Sequence, residues 1–370
     1  MKIGSVKEIK THEYRVGLTP VHVASYVANK HQVYIEKGAG LGSGFEDKEY
    51  VDAGAIMCDN AQLVWDQVDM IVKVKEPLES EYQCFREGLI IYTYLHLAAD
   101  KALTDAMLAA KVSGVAYETI TDDDNQLPLL KPMSEVAGRL SIQEGAKYLE
   151  KPYGGRGVLL PGVPGVSRGN VVIIGGGVVG TNAAKIAVGI GANVTIMDRS
   201  LKRLEELDHL FGSSIQTLYS TELAVAEQVA QADLVVGAVL IPGASAPKVV
   251  KRYMLKNMKA GSVIVDVAVD QGGCTETTKR TYHDDPVYVV DDVVHYCVAN
   301  MPGATPRTST QALTNATLAI GLEIANHGLE VACVTNPHIA NGVNTYKGKI
   351  TYASVAEAFD QQHVPLSDLL

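Results

Sequence analysis

The chain has 370 residues, of which 47% are hydrophobic, 20% are charged and 34 are glycine. A chain of this length is expected to form two domains, and the composition is typical of an α/β protein with many turns. A net charge of −10 without any basic block argues against nucleic-acid binding. No apolar run is long enough to span a membrane and the N-terminus has no signal core, so we expect a cytoplasmic protein.

The first 127 residues alternate strand-like with helix-like segments. Capped helices are predicted over Thr19–Lys30 and Asp100–Ala110. Because strands separated by helices pair in parallel, this part predicts a first doubly wound domain. The glycine-dense segment 38–44 is interpreted as a flexible surface loop, and phosphate binding there is the less favoured alternative. The predicted strands are Lys2–Ser5, Gln32–Ile35, Met70–Val74, Leu89–Tyr94 and Gly114–Ala116.

A boundary is predicted at Pro128 and Pro132. The segment from Ser134 to Lys151 has a serine N-cap, apolar residues at helical spacing and basic residues late, which predicts a long helix between two domains. The turn-rich segment 158–165 then leads into the next strand.

The most informative segment is 171–198, which predicts a strand, a glycine turn, a helix and a second strand that ends on an acid. Gly175 can adopt the tight turn, Gly177 lets a pyrophosphate approach the backbone, and Gly180 lets the helix pack closely on the strand. Asp198 follows Gly180 by 18 residues, close to the spacing of an acid that binds the adenosine ribose. The favoured interpretation is a dinucleotide site, and the alternative is a purely structural βαβ turn.

The acid also indicates which dinucleotide binds. A carboxylate at Asp198 accepts hydrogen bonds from a free 2′-hydroxyl but repels a 2′-phosphate, so NAD is favoured over NADP. Arg199 follows directly and could soften that preference.

The alternation continues to about residue 305, and a long helix is then predicted over Arg307–His327. Residues Val331–Leu370 predict a turn, a short strand and a final helix. The second part has the predicted helices Leu201–Leu207 and Thr221–Ala230 and the predicted strands Ser214–Leu218, Asp233–Ala238, Ser262–Val267 and Val287–Val290.

The predicted fold is therefore α/β, with two doubly wound parallel-sheet (Rossmann-like) domains linked by two long helices. Residues 1–128 together with 306–370 would form a discontinuous substrate and catalytic domain, and residues 129–305 an NAD-binding domain. We expect the substrate in a cleft between them.

Four reactive side chains follow predicted strands, where ligands bind in open α/β sheets. They are Lys75, His96, Asp270 and Arg15, the last in the loop after the first strand. Two cations suit a carboxylate and a carbonyl, and an imidazole suits proton transfer, as a nicotinamide enzyme acting on an amino or oxo acid requires. The alternatives are a structural histidine, a surface ion pair between Lys75 and Glu76, a solvated Arg15 and an ordinary turn aspartate.

Metal and disulfide chemistry have little support. The cysteines are odd in number and lack CxxC spacing, so we predict reduced, mostly buried thiols. Glu323 and His327 share a helix face; this spacing can bind a divalent ion, but a hydrogen bond on the helix surface is favoured. The cysteines are Cys58, Cys84, Cys274, Cys297 and Cys333.

Beyond these single residues, the chain resembles the alanine dehydrogenase/pyridine nucleotide transhydrogenase family over essentially its whole length. The resemblance is carried, in order, by the segments KEIKTHEYRVGLTP, KVKEPLESEY, YTYLHLAAD, LPLLKPMSEVAGRLS, GVLLPGVPGV, IIGGGVVGTNAAKIA, VDVAVDQGGC and VANMPGATPRTST. It implies an NAD-dependent, reversible oxidative deamination of L-alanine to pyruvate and ammonium by a homohexamer.

The resemblance also implies roles for individual residues. Arg15 and Lys75 would bind the substrate, His96 would be the general acid/base and Asp270 the second catalytic residue. Asn300 and Met301 would contact substrate and nicotinamide. At position 279 this chain has lysine where relatives often carry arginine. Besides the glycines of the turn and Asp270, the expected NAD contacts are Ser134, Val178, Asp198, Lys202, Arg203, Ser220, Val239, Leu240, Val267, Lys279, Val298 and Met301.

The main alternative function is the NAD(H)-binding component of a proton-translocating transhydrogenase. Such components usually carry a stretch rich in arginine and glutamine ahead of the crossing helix, where this chain has LPLLKPMSEVAGRLS. A dehydrogenase for a bulkier amino acid and a non-catalytic NAD sensor are further alternatives.

Overall fold

The computed structural model describes residues 1–239 and 246–370. The chain divides into two compact units, one made of Met1–Met133 and Thr305–Leu370, the other of Ser134–Ala304. The assignment of these parts to substrate and to NAD stays a prediction.

Fifteen strands and thirteen α-helices are present in the described residues. The strands are β1 Lys2–Ser5, β2 Gln32–Glu36, β3 Ile56–Cys58, β4 Met70–Val72, β5 Ile90–Thr93, β6 Ser113–Ala116, β7 Asn170–Ile174, β8 Asn193–Asp198, β9 Gln216–Tyr219, β10 Leu234–Gly237, β11 Val263–Asp266, β12 Val287–Val290, β13 Val293–Tyr296, β14 Val343–Tyr346 and β15 Lys349–Ile350. The helices are α1 Pro20–Ala28, α2 Asp47–Asp52, α3 Ala61–Gln67, α4 Lys101–Ala109, α5 Lys131–Tyr148, α6 Val178–Gly189, α7 Leu201–Phe211, α8 Glu222–Gln231, α9 Arg252–Leu255, α10 Pro306–His327, α11 Leu329–Thr335, α12 Pro337–Gly342 and α13 Ala353–Ala358.

The first unit contains an eight-stranded sheet in the order β15-β14-β6-β5-β4-β1-β2-β3. Strands β1 to β6 pair in parallel, whereas β14 is antiparallel to β6 and β15 is antiparallel to β14. The chain runs from β1 outward to β3 and then returns to β4 on the other side of β1. The strand order therefore reverses between β1 and β4.

The second unit repeats this plan in a seven-stranded sheet of order β12-β13-β11-β10-β7-β8-β9. All its strand pairs are parallel except β12 with β13, and the order reverses between β7 and β10. The predicted fold class, two doubly wound α/β sheets, is confirmed.

The apolar strands of the second sheet are buried on both faces. Val171 and Ile173 of β7 belong to one apolar cluster, whereas Val172 and Ile174 belong to another. Because successive side chains of a strand point to opposite faces, a run without polar residues is what a sheet covered on both sides requires.

The predicted cap of the helix at Asp100 is confirmed, and Ser200 and Thr221, which were not predicted as caps, have the same role. Asp100, Ser200 and Thr221 each accept a hydrogen bond from a backbone N–H in the first turn of α4, α7 and α8. The predicted cap at Ser134 is wrong, because α5 already begins at Lys131 and Ser134 lies inside it. Pro132 is tolerated there because the first-turn N–H groups have no partner within the helix.

Several short elements were not predicted. The strands β3 and β13 and the helices α11 and α12 are absent from the sequence prediction, and α5 ends at Tyr148 rather than at residue 151. The prediction of a surface loop at 38–44 is wrong for its buried residues. Ser43 is buried in a 3₁₀ turn, where its hydroxyl donates to the Tyr14 carbonyl and lies 2.8 Å from Thr310 Oγ1.

The structure adds two findings on chemistry and topology. All five cysteines are free, and four of them are buried. Within residues 1–239 and 246–370, no helix combines the length and the apolarity that crossing a membrane requires.

Candidate active site

The carboxyl edge of the first sheet carries charged side chains at the point where the strand order reverses. Ligands of open α/β sheets bind at such points, beyond the carboxyl ends of the strands. Strands β1, β4 and β5 are neighbours there. The loop after β1 and the segments after β4 and β5 carry Arg15, Lys75 and His96.

One ion-pair cluster on this edge is fully buried. The Lys73 ammonium lies 3.1 Å from Glu8 Oε2 and 3.0 Å from Glu81 Oε1. Burial opposes the charge, but attraction by the two carboxylates raises the pKa of Lys73 above its ordinary value. The other oxygen of Glu8 accepts hydrogen bonds from the N–H groups of Val74 and Lys75, at 2.6 and 3.2 Å. Glu8 therefore fixes the backbone that carries Lys75.

Arg15 is buried as well, and only 2% of it is exposed. Its Nε and Nη2 atoms donate to the two oxygens of Glu13, each at 2.6 Å, and Nη1 lies 3.0 Å from the Met133 sulfur. A solvated loop arginine, the alternative interpretation, is therefore wrong. The bidentate pair holds the guanidinium plane in one orientation.

Lys75 differs from the other cations of this edge. Among the residues that the structure describes, its ammonium has no hydrogen-bond or ion-pair partner. Burial lowers the pKa of Lys75 below its ordinary value, and the positive charge of Arg15 lowers it further. The predicted alternative, a surface ion pair with Glu76, is wrong because Glu76 pairs with Lys10. A partly buried cation without a partner is suited to an anionic ligand.

His96 follows β5 in a left-handed backbone conformation, with φ of 51°. Its N–H donates to Glu118 Oε1 at 2.6 Å, and its ring Nδ1 lies 3.7 Å from the same oxygen. The ring stacks on Tyr94 with an interplanar angle of 3°. With 46% of the side chain exposed, the imidazole is open to a ligand. Strained backbone held by side-chain contacts is common at functional sites.

Two glycines of the turn in the second unit have the conformation and packing predicted for them, Gly175 and Gly180. Gly175 has a φ of 103°, a backbone conformation that residues with a Cβ atom rarely adopt. A Cβ at Gly180 would lie 1.9 Å from the Gly175 carbonyl oxygen, so only glycine lets α6 approach β7. A Cβ at Gly177 would meet no atom of residues 1–239 or 246–370 within 4 Å, so among these residues the turn leaves space beside Gly177.

Two side chains hold the peptide groups of Gly176. Asp198 Oδ2 accepts from the Gly176 N–H at 2.7 Å, and Arg203 Nε donates to the Gly176 carbonyl at 2.7 Å. Arg203 also donates to Thr181 Oγ1 and pairs with Glu206 at 2.6 Å. Asp198 and Arg203 thus lie against the same glycine turn, and their contact with a cofactor stays a prediction.

Other predicted cofactor residues have varied surroundings. The Ser220 N–H donates to the Asp198 carbonyl at 2.9 Å. Val178 opens α6 and is partly exposed, whereas Lys202 and Lys279 are exposed. Val239 and Val267, which follow β10 and β11, are partly buried. Leu240 lies outside the described residues.

The remaining predicted site residues, one catalytic and three that bind substrate or cofactor, follow β11 and β13. Asp270 lies in a 3₁₀ turn, is 61% exposed and is 3.4 Å from Arg280 Nη2. Asn300 has a φ of 58°, and its carbonyl lies 3.3 Å from His283 Nε2. Val298 and Met301 are buried.

Sequence analysis missed the carboxylates that support the site. Glu8, Glu13 and Glu118 hold Lys75, Arg15 and His96 in place. Glu8 and Glu118 are distant in the chain from the residues they hold, whereas Glu13 is two residues before Arg15. Asp266, at the end of β11, is buried and accepts from the N–H groups of Cys274 and Thr275. The available signal was a carboxylate within buried segments, where an ion pair or hydrogen bonds are obligatory.

Two other features do not join these edges. A polar pocket of about 640 Å³ lies at the amino ends of β7, β8 and β9, away from the glycine turn. Glu323 accepts a hydrogen bond from Asn336 at 3.1 Å. Within the described residues, no group of three or more side chains has the arrangement of a metal site.

Comparisons with known proteins connect these edges to a family. The N-terminal domain model of alanine dehydrogenase/PNT matches residues 4–137, and the C-terminal domain model matches residues 141–353. The chain belongs to the alanine dehydrogenase/PNT family. It is an enzyme of this family, whose members depend on pyridine nucleotides and small-molecule substrates.

Full-length relatives give the same result. The chain is 57% identical to alanine dehydrogenase of Methanococcus maripaludis over 371 aligned positions, with all of both chains covered. It is 56% identical to alanine dehydrogenase 2 of Staphylococcus aureus, again with full coverage of both. A solved L-alanine dehydrogenase superimposes with a TM-score of 0.95 at 50% identity, covering 97% of this chain and 99% of the other.

A transhydrogenase from Sinorhizobium meliloti has the same fold. Its crystal structure gives a TM-score of 0.83 at 24% identity, over 96% of this chain and 100% of the other. At this identity the likeness is one of fold alone.

Proposed function

We propose that the chain catalyses the NAD-dependent, reversible oxidative deamination of L-alanine to pyruvate and ammonium. The observation that carries the proposal is the Lys75 ammonium, which has no partner in the described residues although it shares a sheet edge with the buried Arg15 and the partly exposed His96. The full-length likeness to alanine dehydrogenases supports the choice of amino acid.

The two cations of the edge are suited to bind the substrate. Arg15 is held rigidly by Glu13, so it offers a fixed positive charge for a carboxylate. Lys75 has a lowered pKa because it is buried and close to Arg15. Binding an anionic or carbonyl oxygen at Lys75 supplies the partner that the protein itself does not provide.

His96 is suited to transfer protons. In the oxidative direction L-alanine, NAD⁺ and water give pyruvate, ammonium, NADH and a proton. After the α-carbon loses its hydride, the imine carbon takes up water and the amine leaves; both steps need a proton acceptor or donor at the substrate. The imidazole of His96 can fill this role, with Glu118 and Tyr94 fixing its position. Asp270 is proposed as the second catalytic group.

The glycine turn fits NAD. The open space at Gly177 and the hydrogen-bonded Gly176 peptide form a cradle at the N-terminus of α6, which favours a pyrophosphate. When bound, NAD supplies the hydride acceptor. The proposed contacts are Ser134, Gly175, Gly177, Val178, Gly180, Asp198, Lys202, Arg203, Ser220, Val239, Leu240, Val267, Asp270, Lys279, Val298 and Met301, with Asn300 on the substrate.

The family resemblance also supports a cytoplasmic homohexamer as part of the proposal. Light scattering on the purified protein measures its mass in solution. A mass of six chains is expected, and a monomer would contradict this part.

NAD reduction measured across a panel of amino acids tests the function. L-alanine is expected to give a kcat/KM well above those of glycine, serine and 2-aminobutyrate. A preference for a bulkier amino acid would reassign the substrate. Hydride exchange only with a separate NADP-binding domain, and none with alanine, would instead support the transhydrogenase component.

The cofactor preference has its own test. Asp198→Ala is expected to lower the affinity for NAD about 10- to 100-fold, the usual loss when hydrogen bonds to a charged group are removed. The ratio of NAD to NADP affinity should decrease as well. The kcat/KM values for both cofactors measure this, with Asp208→Ala on α7 as the matched control. An unchanged preference would remove Asp198 from cofactor recognition.

A further inference from the structure

Most charged residues at the carboxyl edge of the first sheet form ion pairs with a residue of the loop after β1. The loop after β1 supplies Glu8 to Lys73, Glu13 to Arg15 and Lys10 to Glu76. Lys75 is the lysine of this edge that has no partner in the described residues. The loop thus provides a counter-ion for each neighbour of Lys75 but none for Lys75 itself.

Glu76 is the carboxylate next to Lys75 in the chain, and its pairing explains this exception. Oε1 of Glu76 accepts from the Lys10 ammonium, which comes from 66 residues earlier. Oε2 of Glu76 is buried and has no hydrogen-bond partner among the residues that the structure describes. Without Lys10, Glu76 would be a largely buried carboxylate without its counter-ion, and Lys75 is the other cation whose charge lowers the pKa of Glu76. Such a carboxylate gains strongly from pairing.

We propose that Lys10 is a positioning residue that keeps the Lys75 ammonium available to substrate by occupying Glu76. The role rests on the proposed function, in which Lys75 binds the substrate's oxygen atoms. Lys10 itself touches no substrate in this account. It acts by preventing an ion pair between Lys75 and Glu76 that would compete with substrate.

The charges around Lys75 set the expected direction of change. Arg15 and Lys10 lower the pKa of Lys75, after the larger effect of burial, whereas Glu76 and Glu13 raise it. Removal of Lys10 takes away one cation and releases one carboxylate, so both changes raise the pKa of Lys75. A higher pKa means that less of Lys75 is free amine at a given pH. The ammonium form is the one that pairs with Glu76.

The first measurement needs no turnover. Acetic anhydride labels free amines, and peptide mass spectrometry gives the rate at Lys75 as a function of pH. Lys10→Met is expected to slow labelling of Lys75 at fixed mildly alkaline pH by about three- to tenfold, and Lys10→Arg to restore the rate. Because 42% of the Lys10 side chain is exposed, the substitution leaves the core intact. Lys37→Met, which breaks the exposed pair of Lys37 with Asp59, is the matched control and should leave labelling of Lys75 unchanged.

A double variant separates electrostatics from loop structure. In Lys10→Met/Glu76→Gln no carboxylate is released, so labelling of Lys75 should return to within about twofold of the wild-type rate. The KM for pyruvate should rise about fivefold in Lys10→Met, with kcat within about twofold, and fall back in the double variant. Slow labelling that the second substitution does not reverse would show a collapsed loop and overturn the proposal, as would unchanged labelling in Lys10→Met. A shift in labelling without a shift in KM would keep the pairing but contradict substrate binding at Lys75.

Discussion

The two sheets of the molecule share one topology but equip the same edge differently. Each sheet has six mutually parallel strands. Numbered along the chain, these six lie in the order 3-2-1-4-5-6, and the order reverses between the first and the fourth. At this reversal the first sheet has buried charged side chains, whereas the second has a glycine turn held by Asp198 and Arg203. The fold therefore provides two equivalent positions for ligands, and the side chains decide which ligand each position suits.

Loss of the imidazole should have the largest effect on the chemistry at the charged edge. His96→Ala is expected to lower kcat for alanine oxidation by about 10²- to 10⁴-fold, the usual contribution of a general acid or base. NAD affinity, measured by calorimetry, should stay within about twofold because the glycine turn lies in the other sheet's unit. A kcat within tenfold of wild type would remove His96 from the mechanism.

Lys73 and Lys75 lie two residues apart on this edge but are expected to have different roles, Lys73 in the stability of the fold and Lys75 in substrate binding. Lys73→Met leaves Glu8 and Glu81 buried without their cation, and should lower the free energy of unfolding by about 3–5 kcal/mol. Lys75→Met removes an ammonium that has no partner in the described residues. It should leave stability within about 0.5 kcal/mol but lower kcat/KM for alanine about 10- to 100-fold. Denaturant unfolding and steady-state kinetics on both variants measure this, and equal destabilisation by the two would contradict the division.

Gly180 and Gly177 of the glycine turn should likewise differ in their roles, Gly180 in stability and Gly177 in NAD binding. Gly180→Ala forces a Cβ against the Gly175 carbonyl and should lower stability by about 1–3 kcal/mol. A Cβ at Gly177 meets no atom of the described residues within 4 Å, so Gly177→Ala should change stability by less than about 1 kcal/mol while NAD binding weakens at least tenfold. Gly189→Ala, at the far end of α6 and equally open, should change neither quantity much. Wild-type NAD affinity in Gly177→Ala would argue against a pyrophosphate at the turn.

The smallest expected effect is a pH dependence in the interior of the second unit. His295 is fully buried, with its ring nitrogens 2.7 Å from Thr277 Oγ1 and 2.9 Å from the Val293 carbonyl, and burial lowers its pKa below the usual 6.5. As the pH falls below 6.5, the unfolded chain takes up a proton that the folded chain resists, so stability decreases toward acid. The slope should be at most about 1.4 kcal/mol per pH unit. Below pH 6.5 the free energy of unfolding of His295→Gln should depend less on pH than that of the wild type. His209→Gln, at an exposed position, is the control and should keep the wild-type slope. An unchanged slope in His295→Gln would contradict this.

Local signals in the sequence were enough to predict the second edge but not the first. The glycine turn, its flanking strands and Asp198 occupy 28 consecutive residues, 171–198, and each follows from nearest-neighbour geometry. The positions of Lys75 and His96 at strand ends were also accessible. Their surroundings were not, because Glu8, Lys10 and Glu118 reach them across the fold. The predicted cleft between the domains stays a prediction.

Boundaries failed where tertiary contacts override local propensity. The strand β3 has three residues and pairs with β2 to complete a sheet edge, so its sequence alone carries little signal. The cap predicted at Ser134 failed because α5 extends by one turn through Pro132. The buried state of Arg15 depends on Glu13, a pairing that composition does not reveal.

We propose that the charged edge binds the amino acid while the glycine turn binds the cofactor. It is tested most directly by measuring the NADH dissociation constant and the alanine KM at saturating NAD in Lys75→Met and Gly177→Ala. We expect opposite patterns: Lys75→Met keeps the NADH affinity and raises the alanine KM, and Gly177→Ala lowers the NADH affinity and keeps the alanine KM. Loss of both affinities in either variant, or the reverse pattern, would contradict it.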